Sequence, residues 1–278
     1  MNSIVEVVES AYASGSLRIP ARLLLEFVER LGNSALRQFD ERSDYVQWDR
    51  PSGWSCGRKK ACVKHELPAA PMSFRTVSTF MDGDYHEARL VLLALAAGVP
   101  LERAGAAQLT LQTSLGTGHP DGTVWGGVFE AKSMSDYSWQ RFVGRQPRIC
   151  VEEQSINAFE DTFGYRTQSN AYAFAAVAAG LIAEPLIRVV AVNKMTSQLA
   201  ERLFRGDLEL LQVRAQDRAA IAASATPWDL PPIEPEQDSK GRLKLPVQCR
   251  YCDFQAPCLE AQGKTTRFDG KVTWVLDK

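Results

Sequence analysis

The chain has 278 residues, enough to bury a sizeable core as one large domain or one domain with appendages. Its 32 basic against 33 acidic residues leave a net charge of −1, which excludes a global field that would hold nucleic acid unaided; such a contact needs a local patch or a metal. The apolar stretches 90–101 and 171–183 fall short of the roughly 20 residues of a membrane span, and glutamates stand where a signal peptide would be basic, so a soluble, cytoplasmic protein without a membrane partner is expected.

Apolar positions at Ile4, Val7 and Val8, then Leu23, Leu24, Phe27 and Leu31, predict helix through much of 1–45. Residues 48–71 are turn-rich and basic. A helix is expected over 84–97, stopped by Gly98 and Pro100, and its stripe His86, Leu90, Leu93, Ala97 turns the histidine inward. Strands at 107–115, 119–125 and 128–133 follow, then a polar, arginine-bearing segment over 134–150. Next come an alanine-rich helix at 160–180, a strand at 186–192 and a long amphipathic helix at 196–223. Five prolines make 226–246 an irregular connector, ahead of a cysteine-bearing segment and a short tail. The pattern predicts a mixed α/β core over 73–225, a helical and basic segment over 1–72, and a connector with C-terminal cysteines over 226–278.

The richest stretch is 118–132. Gly126-Gly127 is a favoured two-residue hairpin loop between strand-forming residues, which would pair Trp125 with Val128, Thr123 with Glu130 and Asp121 with Lys132. Residues two apart share a face, so Glu130 and Lys132 point together with Asp121 while Phe129 and Ala131 pack on the other side. Two carboxylates and an amine so placed suit a hard divalent cation and phosphodiester hydrolysis. Four further side chains could join them. His86 is a plausible ligand or a satisfied core histidine; Gln168 and Tyr172, four apart on one helix, could hold a DNA phosphate or simply pack; Lys194 could reach phosphate or lie in solvent. Arg141, Arg145 and Arg148, interleaved with Tyr137, Trp139 and Phe142, form either a strand-binding edge or a solvated face.

Six cysteines in a reducing compartment are metal or cluster ligands, or buried thiols, before they are disulfides. Cys249, Cys252 and Cys258 form a Cys-x2-Cys-x5-Cys run; Cys56 and Cys62 lie far upstream, and Cys150 has no partner in this scheme. Four thiolates suit either an iron-sulfur cluster or zinc.

Pro120-Asp121, Glu130-Ala131-Lys132 and Gln168-x-x-x-Tyr172, with a loose Gly83-Asp84-Tyr85-His86, make residues 75–195 resemble the RecB-type branch of the PD-(D/E)XK nuclease superfamily. The cysteine pattern is similar to that branch's iron-sulfur members, the CRISPR-adaptation nucleases and AddB-type subunits. The resemblance implies a restriction-endonuclease-like sheet flanked by helices. It implies Mg²⁺ or Mn²⁺ held by His86, Asp121, Glu130 and the Ala131 carbonyl, with Lys132 beside the attacking water and Gln168 and Tyr172 on DNA. It also implies a four-iron cluster on Cys56, Cys249, Cys252 and Cys258, with Cys62 the alternative fourth ligand and zinc the alternative metal. The expected activity is a metal-dependent DNA exonuclease on single-stranded or end-opened DNA, working alone, as a homo-oligomer or beside a separate helicase or integrase, since the chain has no P-loop. The alternatives are a non-catalytic DNA-binding scaffold or a site-restricted endonuclease.

Overall fold

The computed structural model describes residues 2–39, 48, 50–71, 74–102, 104, 109–159, 164–270 and 272–277. Four helices come first: α1 Ile4–Ala13, α2 Ala21–Phe39, α3 Gly57–Lys64 and α4 Phe74–Ala96. Short strands β1 Leu111–Thr113, β2 Gly116–Gly118 and β3 Gly122–Val124 lead to β4 Gly127–Met134. Then follow α5 Asp136–Val143, β5 Ile149–Ser155, α6 Tyr165–Ala178, β6 Leu186–Asn193, β7 Leu199–Arg205 and α7 Leu208–Ala223. The C-terminal part holds β8 Glu236–Gln237, β9 Leu243–Lys244, α8 Val247–Arg250, α9 Gln255–Glu260, β10 Lys264–Phe268 and β11 Thr273–Asp277.

The architecture is α/β. A mixed five-stranded sheet runs β3-β4-β6-β7-β5, with β4 parallel to β6, β6 antiparallel to β7, and β7 parallel to β5. Alternation along the strands divides the core into two layers. Val128, Met134, Ile187, Val189 and Ala191 pack with Trp139 and Phe142 of α5 and Tyr172, Ala173 and Ala176 of α6. Phe129, Ala131, Val190 and Val192 pack on the other face against Ile4, Val5 and Val8 of α1 and Leu90, Val91 and Ala94 of α4. The central strand β6 is covered on both faces, which is why it reads as a continuous apolar run rather than an alternation. A separate four-stranded sheet, β10-β11-β9-β8, is built from the C-terminal residues around Leu245, Leu259 and Val275.

Several expectations are corrected. The helix expected over 196–223 is strand β7 followed by α7. Leu199–Arg205 pairs residue by residue with β6, and its buried Glu201 and Arg202 find internal partners that hide their polarity from a helical count. The arginine-bearing segment contains α5 and opens into edge strand β5, and the short tail is the hairpin β10–β11. The helix expected from residue 84 begins at Phe74, so Gly83 lies within it, where a Cβ would come 3.3 Å from Ser133 Oγ. Its buried face also differs: Ala88, Leu90, Val91, Leu92 and Ala94 are the covered residues, while His86 and Leu93 are half-exposed. Parts of the predicted helices at 40–45 and 160–163, and of the strand at 107–108, lie outside the described residues.

Candidate functional site

The hairpin forms, two residues out of the expected pairing. Val124 pairs with Gly127, Thr123 with Val128 and Gly122 with Phe129, so the loop is Trp125-Gly126. Both loop residues have positive φ, 45° and 77°, as a type I′ turn demands. Gly127 is instead a strand residue: a Cβ there would lie 3.2 Å from the Leu186 carbonyl of β6. A shift of two residues preserves the faces, so Asp121, Glu130 and Lys132 still converge.

The described pairing of β3 with β4 ends at Gly122 and Phe129. Beyond it, the Asp121 side chain takes over the ladder, its Oδ2 accepting from the Ala131 backbone N–H at 3.0 Å. A cavity of about 520 Å³ opens beside this edge. Its walls come from α2 (Glu26, Glu29, Arg30, Asn33), the loop Arg50-Pro51-Ser52, α4 (Asp84, Glu87), the stretch Thr117-Gly118-His119 and α6 (Gln168, Tyr172). Asp121, Glu130 and Lys132 lie in it, at 7%, 1% and 6% exposure.

Lys132 Nζ donates to Glu130 Oε2 at 2.6 Å, and Arg30 Nη2 of α2 stands 3.4 Å from Asp121 Oδ1. Glu130 Oε1 is buried with no hydrogen-bond partner among the described residues. A buried polar atom left unmatched costs free energy unless a ligand or water completes it. Burial pushes the Glu130 carboxyl up to about 7, with Asp121 adding to the rise and Lys132 opposing it. Burial works against the charged form of Lys132, yet Glu130, Glu87 and Asp121 outweigh it and hold the amine well above its ordinary range. The lysine is therefore a fixed cation in a nest of acids.

Glu87 is the residue that sequence reasoning missed. It lines the cavity half-buried, its carboxyl pushed up to about 8 by burial, then by the neighbouring Asp121 and Asp84, against Lys132 and Arg30. His86, expected in that role, does not line the cavity. Its ring lies 5.5 Å from Tyr85 and in the field of Arg89 and Lys194, and its Nδ1 is buried without a partner among the described residues. One helical position rotates a side chain by about 100°, so an error of one residue in the face of α4 exchanges an imidazole for a carboxylate.

Gln168 and Tyr172 do line the cavity, but they bond inward. Gln168 Nε2 and the His119 backbone N–H both donate to the Tyr172 hydroxyl at 3.2 Å, which fixes the turn that carries Asp121. Gly118 passes so close that a Cβ would lie 2.3 Å from the Tyr172 ring. Lys194 does not line the cavity; it donates to the Thr79 carbonyl at 3.3 Å. Of the supposed stacking edge, Arg141 donates to the exposed Tyr137 hydroxyl at 3.1 Å and lies 5.5 Å from its ring. Trp139 and Phe142 are core residues, and Arg148 clamps Glu9 of α1 in two bonds of 2.7 and 3.0 Å.

The cysteines gather from both ends of the chain. Cys56 caps α3, its Sγ accepting from Lys59 N at 3.4 Å, and Arg58 of the same helix donates to Cys258 Sγ at 3.7 Å. Cys62 is buried, pushed up to about 12 by burial and then by Cys252, Cys258 and Cys56. Cys249 is raised to about 12 by burial and by Cys56, Cys252 and Cys258. Burial also raises Cys56 and Cys252 against the backbone N–H groups of Lys59 and Phe254. Both candidate fourth ligands thus lie within electrostatic reach of the C-terminal trio. Cys150 stands apart, accepting from Gln154 Nε2 at 3.1 Å.

Among the described residues, no group of three or more His, Cys, Asp or Glu side chains is arranged as it stands to hold a metal ion. Lys132 and Arg30 draw carboxylate oxygens to themselves instead. The donor types nevertheless fit: hard carboxylate oxygens, one of them unmatched, for Mg²⁺ or Mn²⁺, and soft sulfurs for iron or zinc.

The chain matches no family model and no curated protein. Two solved structures are similar to it. The crystal structure of SSO0001 is 13% identical with a TM-score of 0.45, covering 82% of this chain and 95% of that one. The crystal structure of LHK-Exo in complex with dAMP is 16% identical with a TM-score of 0.36, covering 71% and 89%. No helix among the described residues is long and apolar enough to cross a membrane.

Proposed function

We propose that this protein is a metal-dependent DNA exonuclease acting on single-stranded or end-opened DNA. The observation that carries this reading is the unmatched, buried Glu130 Oε1, set beside Asp121 and Lys132 in one cavity. Asp121, Glu130 and Glu87 are the residues that would hold Mg²⁺ or Mn²⁺, and the ion would supply a water of lowered pKa and stabilise charge on the departing oxygen. Lys132, protonated and held by Glu130, orients the attacking water and offsets the charge of the phosphate. Arg30 and Arg50 in the cavity wall attract the phosphate backbone. Tyr172 and Gln168 act by holding the His119–Asp121 turn in place.

An iron-sulfur cluster on Cys249, Cys252, Cys258 and Cys56, with Cys62 the other candidate ligand, would tie the two ends of the chain together; zinc is the alternative occupant. Arg58 supports this reading, since its helix both carries Cys56 and contacts Cys258. With no P-loop in the sequence, the protein would act alone, as a homo-oligomer or beside a separate helicase or integrase.

Purified protein with Mn²⁺ and an end-labelled oligonucleotide should release short products, and Asp121→Ala or Lys132→Ala should release none while still unfolding as one cooperative transition. Full cleavage by either variant would remove the mechanism, and binding without cleavage by the native chain would leave the scaffold reading. Closed circular DNA cut as fast as linear DNA would favour the endonuclease. A brown preparation with about four irons per chain, bleached in Cys252→Ser, supports the cluster, and a colourless protein with stoichiometric zinc would overturn it.

A further inference from the structure

The C-terminal sheet carries a second surface, none of whose residues lines the cavity. Arg267 of β10 faces Trp274 of β11, Trp274 faces Lys244 of β9, and Lys244 faces Glu236 of β8, so four side chains form one row across the sheet. Val275 is buried with Leu245 and Leu259, which turns its neighbour Trp274 to the opposite face. Thr265, Arg267 and Leu276, which share that face, are exposed.

Trp274 is fixed in place, its Nε1 donating to Asp269 Oδ2 at 2.7 Å. The Arg242 guanidinium lies 4.0 Å from the ring centroid and is held there by Asp238 at 2.8 Å. The Arg242 side chain nonetheless stays 56% exposed. Lys244 pairs with Glu236 at 2.9 Å, and Arg267 has no ion-pair partner among the described residues.

We propose that this sheet face binds single-stranded nucleic acid, with bases stacking on the Arg242–Trp274 pair and a phosphate on Arg267. Asp238 and Glu236 already meet Arg242 and Lys244, so Arg267 is the cation of this face left to take a phosphate, and both Arg242 and Trp274 are held in position before any ligand arrives, which lowers the ordering cost of binding. The stacked planes choose among polyanions. An unpaired base can lie on a guanidinium or an indole, whereas a duplex hides its base faces, and an acidic peptide or anionic lipid would use the cations alone.

The full chain is titrated with a labelled thymidine oligonucleotide of about 12 nucleotides, read by fluorescence anisotropy in EDTA so that no cleavage intervenes. Trp274→Ala and Arg242→Ala should each weaken binding about tenfold or more, and Trp274→Phe should recover most of the loss. Arg267→Glu, a change at an exposed position, keeps the test valid if the tryptophan variant unfolds, and should weaken binding and reduce its salt dependence. Unchanged affinity in the folded variants would overturn the proposal. So would equal affinity for an abasic strand or a blunt duplex. A native chain that binds in EDTA but never cleaves with Mn²⁺ would overturn the nuclease reading and leave this one standing.

Discussion

Two carboxylates are buried in the same sheet, each beside a cation, and their surroundings differ in one respect. Glu201 of β7 is saturated: Arg188 of β6 donates to Oε1, while Ser3 Oγ and the Val5 backbone N–H donate to Oε2 at 2.7 and 3.0 Å. Glu130 of β4 has Lys132 on one oxygen and no partner among the described residues on the other. The saturated pair lies in the middle of the sheet and joins the start of α1 to it, with Arg188 also lying 5.0 Å from the Trp125 ring. The unsaturated pair lies on the edge that β3 leaves uncovered, facing a cavity. A fully matched buried ion pair is closed on itself, whereas an unmatched oxygen can still accept from a ligand or a water.

That contrast breaks most easily at Glu201. Glu201→Ala should cost about 3–5 kcal/mol, because Arg188 stays buried without its partner, and urea denaturation measures it. The corresponding change at the open site, Glu130→Gln, should leave the urea midpoint unchanged or raise it while lowering cleavage about 10²–10⁴-fold. If Glu130→Gln destabilised as much as Glu201→Ala, the two sites would be equivalent and the distinction between them lost. Glu87→Gln separates the missed acid from the expected histidine: cleavage should fall in Glu87→Gln and persist in His86→Ala, and the reverse outcome would restore the histidine.

A smaller effect is expected at the support of the cavity. Gly118→Ala forces its new methyl into the Tyr172 ring, at a cost of about 1–3 kcal/mol, and should impair cleavage through the displaced His119–Asp121 turn. The smallest lies far away, at the start of α7. Asp207 accepts from Leu210 N at 3.0 Å, and this bond leads the effects that hold its carboxyl below the ordinary range. A folded pKa below the unfolded one gives stability that is present above about pH 4 and is lost as pH falls through the folded value. Asp207→Ala should therefore cost about 1 kcal/mol at neutral pH and flatten the acid limb of the stability curve.

The residues that share strands were legible in the chain. The alternation of Glu130 and Lys132 with Phe129 and Ala131, and the turn chemistry around Gly126, put two acids and an amine on one face, and a two-residue slip in register left that face intact. Contributions from separate elements were not legible. Nothing in the local pattern of α4 says whether residue 86 or 87 looks into the cavity, because the answer depends on how the helix rolls against β4. Nothing in 199–205 announces a strand, because its charged side chains look exposed until Arg188 and Ser3 arrive to satisfy Glu201.

The sequence by itself determined the mixed α/β class, the acid-amine face of β4 and the inventory of thiols, since all three follow from periodicity, turn propensity and residue type over short spans of chain. Only the tertiary structure decided that β3 stops short and opens an edge, that Glu87 joins that edge, and that Tyr172 bonds inward. It also decided that Arg242 settles over Trp274 at the far end. Each of these is a contact between side chains from different elements, and its energy exists only once packing has brought them together.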